Sequence, residues 1–331
     1  MLKFIAKRLG YAIVVLLGVS LIIYFLTRLM PVDFVRNKVL GISTTGATVD
    51  ASMVNAMYES YGLVEDATPL DILKGYVNWL GDLCRLDLGE SFLDGQPVAQ
   101  KIAGNMGVSF IIAFVATIFE FLIAIPLGIT AATHQYKLRD YVVTVLVMIG
   151  ISLPSFFFGS VLQDLFALRL GWFPFNGWGD NTISTSGISA LLGYVRTAVI
   201  PILTVVILSI GARMRMTRTN MLEVMNSDYI RTARAKGLSE RKVINKHAFR
   251  NTLIPLVTTM AGLLPSLFSG AIITETVFDL PGIGQVALKA MNAGDIPFIM
   301  GYNMFLAALS VMGILLADIM YGLVDPRVKL E

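Results

Sequence analysis

The chain has 331 residues, of which 55% are apolar and only 15% charged, with a mean hydropathy of +0.71 and a formal net charge of +3. A soluble globular domain carries about a quarter charged residues, so a water-soluble enzyme or binding module is the first class excluded. The single cysteine, Cys84, excludes an intrachain disulfide or a cysteine-held metal cluster. His134 and His247 stand too far apart in the sequence to signal a metal site.

In chain order, six apolar blocks approach or exceed the ~20 residues that cross a bilayer: 9–29, 106–132, 141–169, 195–212, 252–276 and 298–323. The fold class this predicts is an all-α integral membrane protein with six transmembrane helices and a small extracytoplasmic helical cap after the first span. The first block, "LGYAIVVLLGVSLIIYFLTRL", has Arg28 as its one charge, near enough to the end to snorkel. It exceeds the apolar core of a signal peptide, and "MPVDF" offers no small-x-small cleavage site, so it reads as an uncleaved anchor.

Residues 31–105 are too long for a simple connection. "ASMVNAMYESYGL" and "PLDILKGYVNWLGDL" read as amphipathic helices, and "SFLDGQPVAQKI" as a turn leading into the second span. Arg196 and Pro201 shorten the fourth block. The chain thus divides into an N-terminal interfacial segment with the first span (1–30), a cap loop (31–105) and a core transmembrane domain (106–331) that contains a polar loop, 213–251.

Basic residues set the orientation. With the N-terminus in the cytoplasm, the inner segments 1–8, 133–140, 213–251 and 324–331 hold 17 of the 26 Lys and Arg, while 31–105 has 5 basic and 10 acidic residues. Both termini and the 213–251 loop then face the cytoplasm.

That loop holds the densest cations, in "DYIRTARAKGLSERKVINKHAFRN" (228–251): four Arg, three Lys and one His. Asn226 and Ser227 are N-cap candidates for a helix over 228–236, and Gly237 sits where a left-handed residue would end it. Ser239 can cap a second helix, with Leu238 and Val243 at the spacing of a hydrophobic staple. That helix runs to about Arg250 and feeds the fifth span, where Pro255 is tolerable if neighbouring helices re-satisfy the backbone. A short helix, a glycine stop and a helix rooted in the membrane make a lever. Three readings of it compete: contact with anionic lipid headgroups, nucleic-acid binding, and docking of a cytoplasmic protein. The capped, punctuated organisation favours docking, and no nucleic-acid-binding fold accompanies the cations.

The chain has no G-x-x-x-x-G-K-[ST] stretch, so it does not cradle a triphosphate in the P-loop manner. Glu120, Asp164 and Asp318 lie inside spans and are functional candidates by default. They read as lacking a basic partner at similar depth, except that Asp318 is expected to form a structural ion pair with Arg213 or Arg215. Glu120 either lines a translocation path or meets a partner helix.

The basic stretch resembles the coupling loop of permeases of ATP-binding-cassette importers. Their general signature is E-A-A, three residues, Gly, nine residues, I-x-L-P. Counted from Gly237, the triplet falls on Arg231, Thr232 and Ala233 and the last four on "HAFR", so only Ala233 and the glycine match. "DYIRTARAKGLSERKV", however, is very similar to the variant of the dipeptide, oligopeptide and nickel branch. "ARMRMTRTNMLEV" (212–224), "TETVFDLPGIGQ" (274–285) and "DPRV" (325–328) agree with it, as do "DLGESF" (87–92) and "PV" (97–98) with its longer, B-type subunit. "PVDF" (31–34) and "NMGVSF" depart from the branch's pattern, which bears on substrate class.

The resemblance implies that 228–237 form a coupling helix seated in a groove of an ATP-binding subunit. Arg231, Arg234 and Lys236 would make polar contacts there, Tyr229, Ile230 and Ala233 the packing face, with Thr232 and Ser239 beside them and Gly237 as the stop. It implies a translocation path shared with a second homologous permease subunit, with "FDLPGIGQ" as a re-entrant outer loop at its mouth; Glu120, Asp164, Pro281, Gly282 and Gly284 are the path candidates. The other implied partners are two cytoplasmic ATP-binding subunits, which would hold ATP and Mg, an extracytoplasmic solute-binding protein and the lipid bilayer, with no cofactor, metal or nucleic acid on this chain. The setting implied is a bacterial or archaeal cell membrane. Peptides, glutathione-like molecules, nickel complexes and oligosaccharides all stay open as solutes. An ion- or proton-coupled secondary transporter and a non-transporting docking scaffold are the readings from other classes.

Overall fold

A computed structural model describes residues 2–30, 35, 69–175 and 187–324. The stretches "ASMVNAMYESYGL", "PVDF" and "DPRV" lie outside the described residues.

Helix α1 (Leu2–Arg28) is long and apolar, and most of its large side chains, such as Ile13 and Val14, are exposed. In a membrane protein such a surface faces lipid, where apolar exposure carries no cost. Helix α2 (Pro69–Cys84) is amphipathic and folds back on α1. Tyr76 sits 5.4 Å from the ring of Tyr24 and 3.0 Å from the Ser20 hydroxyl, and both tyrosines pack on Met300.

The turn after α2 holds the one isolated β-bridge among the described residues, Glu90 with Pro97. Helix α3 (Val98–Thr133) then runs 36 residues, with Pro126 inside it. Helix α4 (Leu138–Ser152) and helix α5 (Ser155–Gln163), the latter extended by a π-helical turn over Asp164–Arg169, follow. The sequence reading makes 141–169 one straight span; the chain bends it by 97° between α4 and α5. Pro154 is the cause, since a residue before proline is pushed out of the helical region, and Leu153 is extended at φ −89°, ψ 135°.

Helix α6 (Gly187–Met225) has 39 residues and contains Pro201. It overruns the expected 195–212 at both ends, because Pro201 removes a hydrogen bond without ending the helix and Arg196 finds the Trp172 carbonyl at 2.9 Å. Small residues Ala124 and Ala131 on α3 and the buried Met214 on α6 let these two helices pack closely.

Helix α7 (Asp228–Ala235) leads to α8 (Glu240–Lys242), which continues through a π-helical turn (Val243–Ala248) into α9 (Phe249–Thr259). A 3₁₀ turn at Met260–Gly262 joins α9 to α10 (Leu263–Phe268), and the run from Glu240 to Val277 bends by 55°. Helices α11 (Ile272–Val277), α12 (Ile283–Ala293) and α13 (Ile296–Val324) complete the described chain. Among the described residues, four helices, α1, α3, α6 and α13, are each long and apolar enough to cross a membrane, and the count rises to six spans if each bent pair counts as one.

Candidate functional site

The basic elbow is built from local rules. Helix α7 starts after Ser227, whose backbone is extended at the N-cap. Its hydroxyl donates to the Val224 carbonyl at 2.6 Å and caps no amide, nor does the Ser239 hydroxyl cap α8. The glycine stop is present. Gly237 has φ +75°, its N–H donates to the Arg234 carbonyl at 2.9 Å, and the Leu238 N–H reaches the Ala233 carbonyl at 3.4 Å. This pair of bonds is the Schellman ending of a helix, and a side chain at Gly237 would be strained there.

Ile230 is fully buried and Ala233 nearly so, in a cluster with Ala132, Met221, Val243 and Ala248, joined by Leu238. Leu238 and Val243 thus share one cluster, as a staple requires. The reading that grouped Tyr229, Ile230 and Ala233 on one partner-facing side needs correction. Residues 230 and 233 share an inward stripe, whereas Tyr229 lies about 100° round the helix and is 47% exposed. Tyr229, Arg231, Thr232, Lys236 and Ser239 form the side left open. Arg234 is already engaged: it clasps Glu240 across the glycine with bonds of 2.7 and 3.2 Å, and donating them to the Glu240 carboxylate raises the pKa of its guanidinium against the pull of burial. Arg231 lies 3.6 Å from Asp228.

Each intramembrane carboxylate singled out in the sequence has a basic partner, which was not expected for Glu120 or Asp164 and was expected to be a different residue for Asp318. Glu120 on α3 meets Arg213 on α6 at 3.0 Å, with side chains 10% and 16% exposed. Arg213 also donates to the Thr259 hydroxyl on α9 at 2.9 Å and lies 4.6 Å from the centre of the Phe121 ring. Asp318 pairs with Arg8 at 3.2 Å, not with Arg213 or Arg215, because α1 packs alongside α13 and brings Arg8 to its level. Arg215 turns away toward α4, where the Met148 sulfur lies 3.0 Å off. Asp164 pairs with Arg169 in its own π-helical turn at 2.7 Å, both well exposed.

Glu120 and Arg213 line a cavity of about 380 Å3 enclosed by α3, α6, α10 and α11. Glu275 lines it too, and is the functional candidate that the sequence reading missed. Glu275 is 2% exposed, and its carboxylate accepts the Ser109 hydroxyl at 2.6 Å, the Gln285 N–H at 2.9 Å and the Ala271 N–H at 3.1 Å. Gly282 and Gly284 do not line the cavity; they wrap this carboxylate. A Cβ on Gly282 would run into it, and one on Gly284 would lie 2.8 Å from Oε2. Pro281 is exposed, and Asp164 also lies outside the cavity. The signal available was an acidic residue in a stretch dense in glycine, "TETVFDLPGIGQ".

At the opposite end from the elbow, Asp295 is fully buried just before α13. It accepts the Ser91 hydroxyl at 2.5 Å and the Phe92 N–H at 3.0 Å, tying the turn before α3 to α13. Lys101 joins Ser91 at 2.8 Å to Asp94 at 2.9 Å. Burial pushes the Asp94 carboxyl up, but hydrogen bonds from Lys101 and the Gln96 N–H bring it below its ordinary value.

Residues 124–330 match the family model described as binding-protein-dependent transport system inner membrane component. A chain of Brucella abortus, carrying a peptide transport permease name, is 36% identical over 331 residues, all of both chains. The oligopeptide transport system permease protein of Bacillus subtilis is 32% identical, covering 99% of this chain and 100% of its own. The di/tripeptide transport system permease protein of Pseudomonas aeruginosa is also 32% identical, covering 99% of each chain. Among solved structures, a chain of the MetNI methionine ABC transporter in inward-facing conformations superposes with a TM-score of 0.51, covering 69% of this chain and 97% of that one. At 17% identity that likeness speaks for the fold alone.

Proposed function

The chain belongs to the binding-protein-dependent transport system inner membrane components, and from that premise we propose that it moves peptides inward, its α7 elbow receiving the work of ATP hydrolysis. It is a multi-pass permease subunit of an ATP-binding-cassette importer, a transporter component and not an enzyme, and it works with an ATPase and a binding protein. The peptide assignment is supported by the names of the full-length relatives. The finer arrangement belongs to the proposal: a second homologous permease, two ATP-binding subunits that hold ATP and Mg, a bacterial or archaeal cell membrane, and both termini on the cytoplasmic side with the elbow.

One observation carries the mechanism. Helix α7 is rooted by Ile230 and Ala233 in its own subunit while Tyr229 and its neighbours are left open, and the chain from Glu240 to Thr259 runs on without a gap. A push on α7 is transmitted through the Val243 and Ala248 contacts and the Arg234–Glu240 clasp to α9. Thr259 at the far end of α9 holds Arg213, and α10 just beyond contributes Leu263 and Ser266 to the cavity. Tilting α9 and α10 therefore acts on the Glu120–Arg213 pair and on the cavity wall together. Solute would pass there, between this wall and that of the second permease.

The test is Gly237→Val. A β-branched residue does not adopt φ +75° without strain. The complex should assemble while solute-stimulated ATP hydrolysis is lost; unchanged stimulation would overturn the lever.

A further inference from the structure

We propose that the slot between α4 and α6, beside Arg215, binds the phosphate headgroup of an anionic phospholipid from the leaflet next to the elbow. The slot encloses about 310 Å3 and is lined by Tyr136, Asp140, Tyr141, Thr144, Met148 and Arg215, among others.

Its floor is organised around Asp140, which is buried. That carboxylate accepts two bonds from Arg218, at 2.9 and 2.8 Å, the Tyr136 N–H at 3.1 Å and the Thr144 hydroxyl at 3.4 Å. Arg218 is thereby neutralised. The Asp140 bond also holds Tyr136 at φ +62°, a conformation that costs a non-glycine residue energy and persists only where the surroundings impose it. It keeps the Tyr136 ring at the rim.

Arg215 lies one turn before Arg218 and is exposed. Its guanidinium has five N–H donors, and the acceptor it meets here is the Met148 thioether, a weak one. The slot therefore carries one cation beyond its internal pair. A fork of N–H donors suits phosphate oxygens. The lipid source follows from the surroundings: α4 turns Val142, Val145, Leu146 and Ile149 outward, all at least 47% exposed. Acyl chains are the medium such a face requires, and basic pockets between spans bind anionic headgroups.

The experiment is native mass spectrometry of the purified, assembled transporter, titrated with phosphatidylglycerol or phosphatidylcholine. Phosphatidylglycerol should be retained at the lower concentration. Arg215→Gln should raise the concentration needed by about fivefold, the worth of one cation at a lipid surface, with Arg215→Lys in between. Thr144→Trp fills the slot without altering charge and should weaken retention as well, which keeps the test valid if the glutamine variant fails to assemble. Equal retention by parent and both slot variants overturns the proposal. So does displacement of the lipid by excess inorganic phosphate, or a photo-crosslinker at Tyr141 that captures protein in place of lipid.

Discussion

The elbow and the cavity each hold an Arg–Glu pair, and the two pairs do different physical work. Arg234 and Glu240 face water with side chains 40% and 55% exposed. Arg213 and Glu120 are 16% and 10% exposed, between helices in the membrane. In water the attraction is screened, so the elbow takes its shape from Gly237 and the Ile230 cluster, and the ion pair trims it. In the cavity the charges are costly to hold singly, so each is the other's condition for being there. The elbow is thus a packed lever with charge on its surface, and the cavity is a charged site with packing around it.

The largest effect expected from breaking that contrast is at Arg213. Arg213→Met leaves Glu120 buried without a cation, a loss of about 3–5 kcal/mol by the usual cost of an orphaned buried charge. The thermal midpoint and the yield of assembled transporter should fall, and the double variant Glu120→Gln with Arg213→Gln should recover much of both. A single variant as stable as its parent would show that the cavity pair is as dispensable as the surface one.

Next is Ile230→Ala, which empties a fully buried site in the elbow cluster. Core truncations of this kind cost about 2–5 kcal/mol. Here the loss should stay local, since the cluster lies at the elbow and contains neither Glu120 nor Arg213. Hydrogen exchange over 228–236 should quicken and solute-stimulated ATP hydrolysis drop, while exchange around Glu120 on α3 and in α13 stays put. Protection lost throughout the molecule would mean that the elbow cluster holds the whole fold and is no separate lever.

The same contrast explains what was legible in the sequence. Helix α7, its glycine ending and the staple of Leu238 and Val243 follow from neighbours a few residues apart, so reading along the chain finds them. Apolar length likewise marks the long helices α1, α3, α6 and α13, though not the bend at Pro154 or the reach of α6 past Pro201. The cavity rests on pairs distant in sequence: Glu120 with Arg213 is 93 residues apart and Ser109 with Glu275 is 166. No periodicity reports such pairs, so the sequence offers Asp318 the nearer-seeming Arg213 or Arg215 and gives Glu275 no partner to mark it. Gly282 and Gly284 read from the sequence as path candidates, and their actual task, room for a carboxylate, depends on what the fold places beside them. At the elbow itself, the division between Ile230 facing in and Tyr229 facing out was within reach of helical geometry. Placing Tyr229, Ile230 and Ala233 together on one face obscures it.

The smallest effect expected is at the clasp. Arg234 and Glu240 bond closely, at 2.7 Å, and by geometry alone this looks as firm as the cavity pair. Exposure decides otherwise: a partly solvated pair is worth under about 1 kcal/mol, and less as salt is added. A double-mutant cycle with Arg234→Gln and Glu240→Gln, read by chemical denaturation of the elbow through exchange of its amides, should give a coupling of that size that shrinks at high ionic strength. Each single variant should leave solute-stimulated hydrolysis close to the parent level, since Gly237 and Ile230 still fix the angle. A coupling insensitive to salt and comparable to that of Glu120 with Arg213 would mean that charge, not packing, sets the elbow, and the lever would then have to be argued from Arg234 outward.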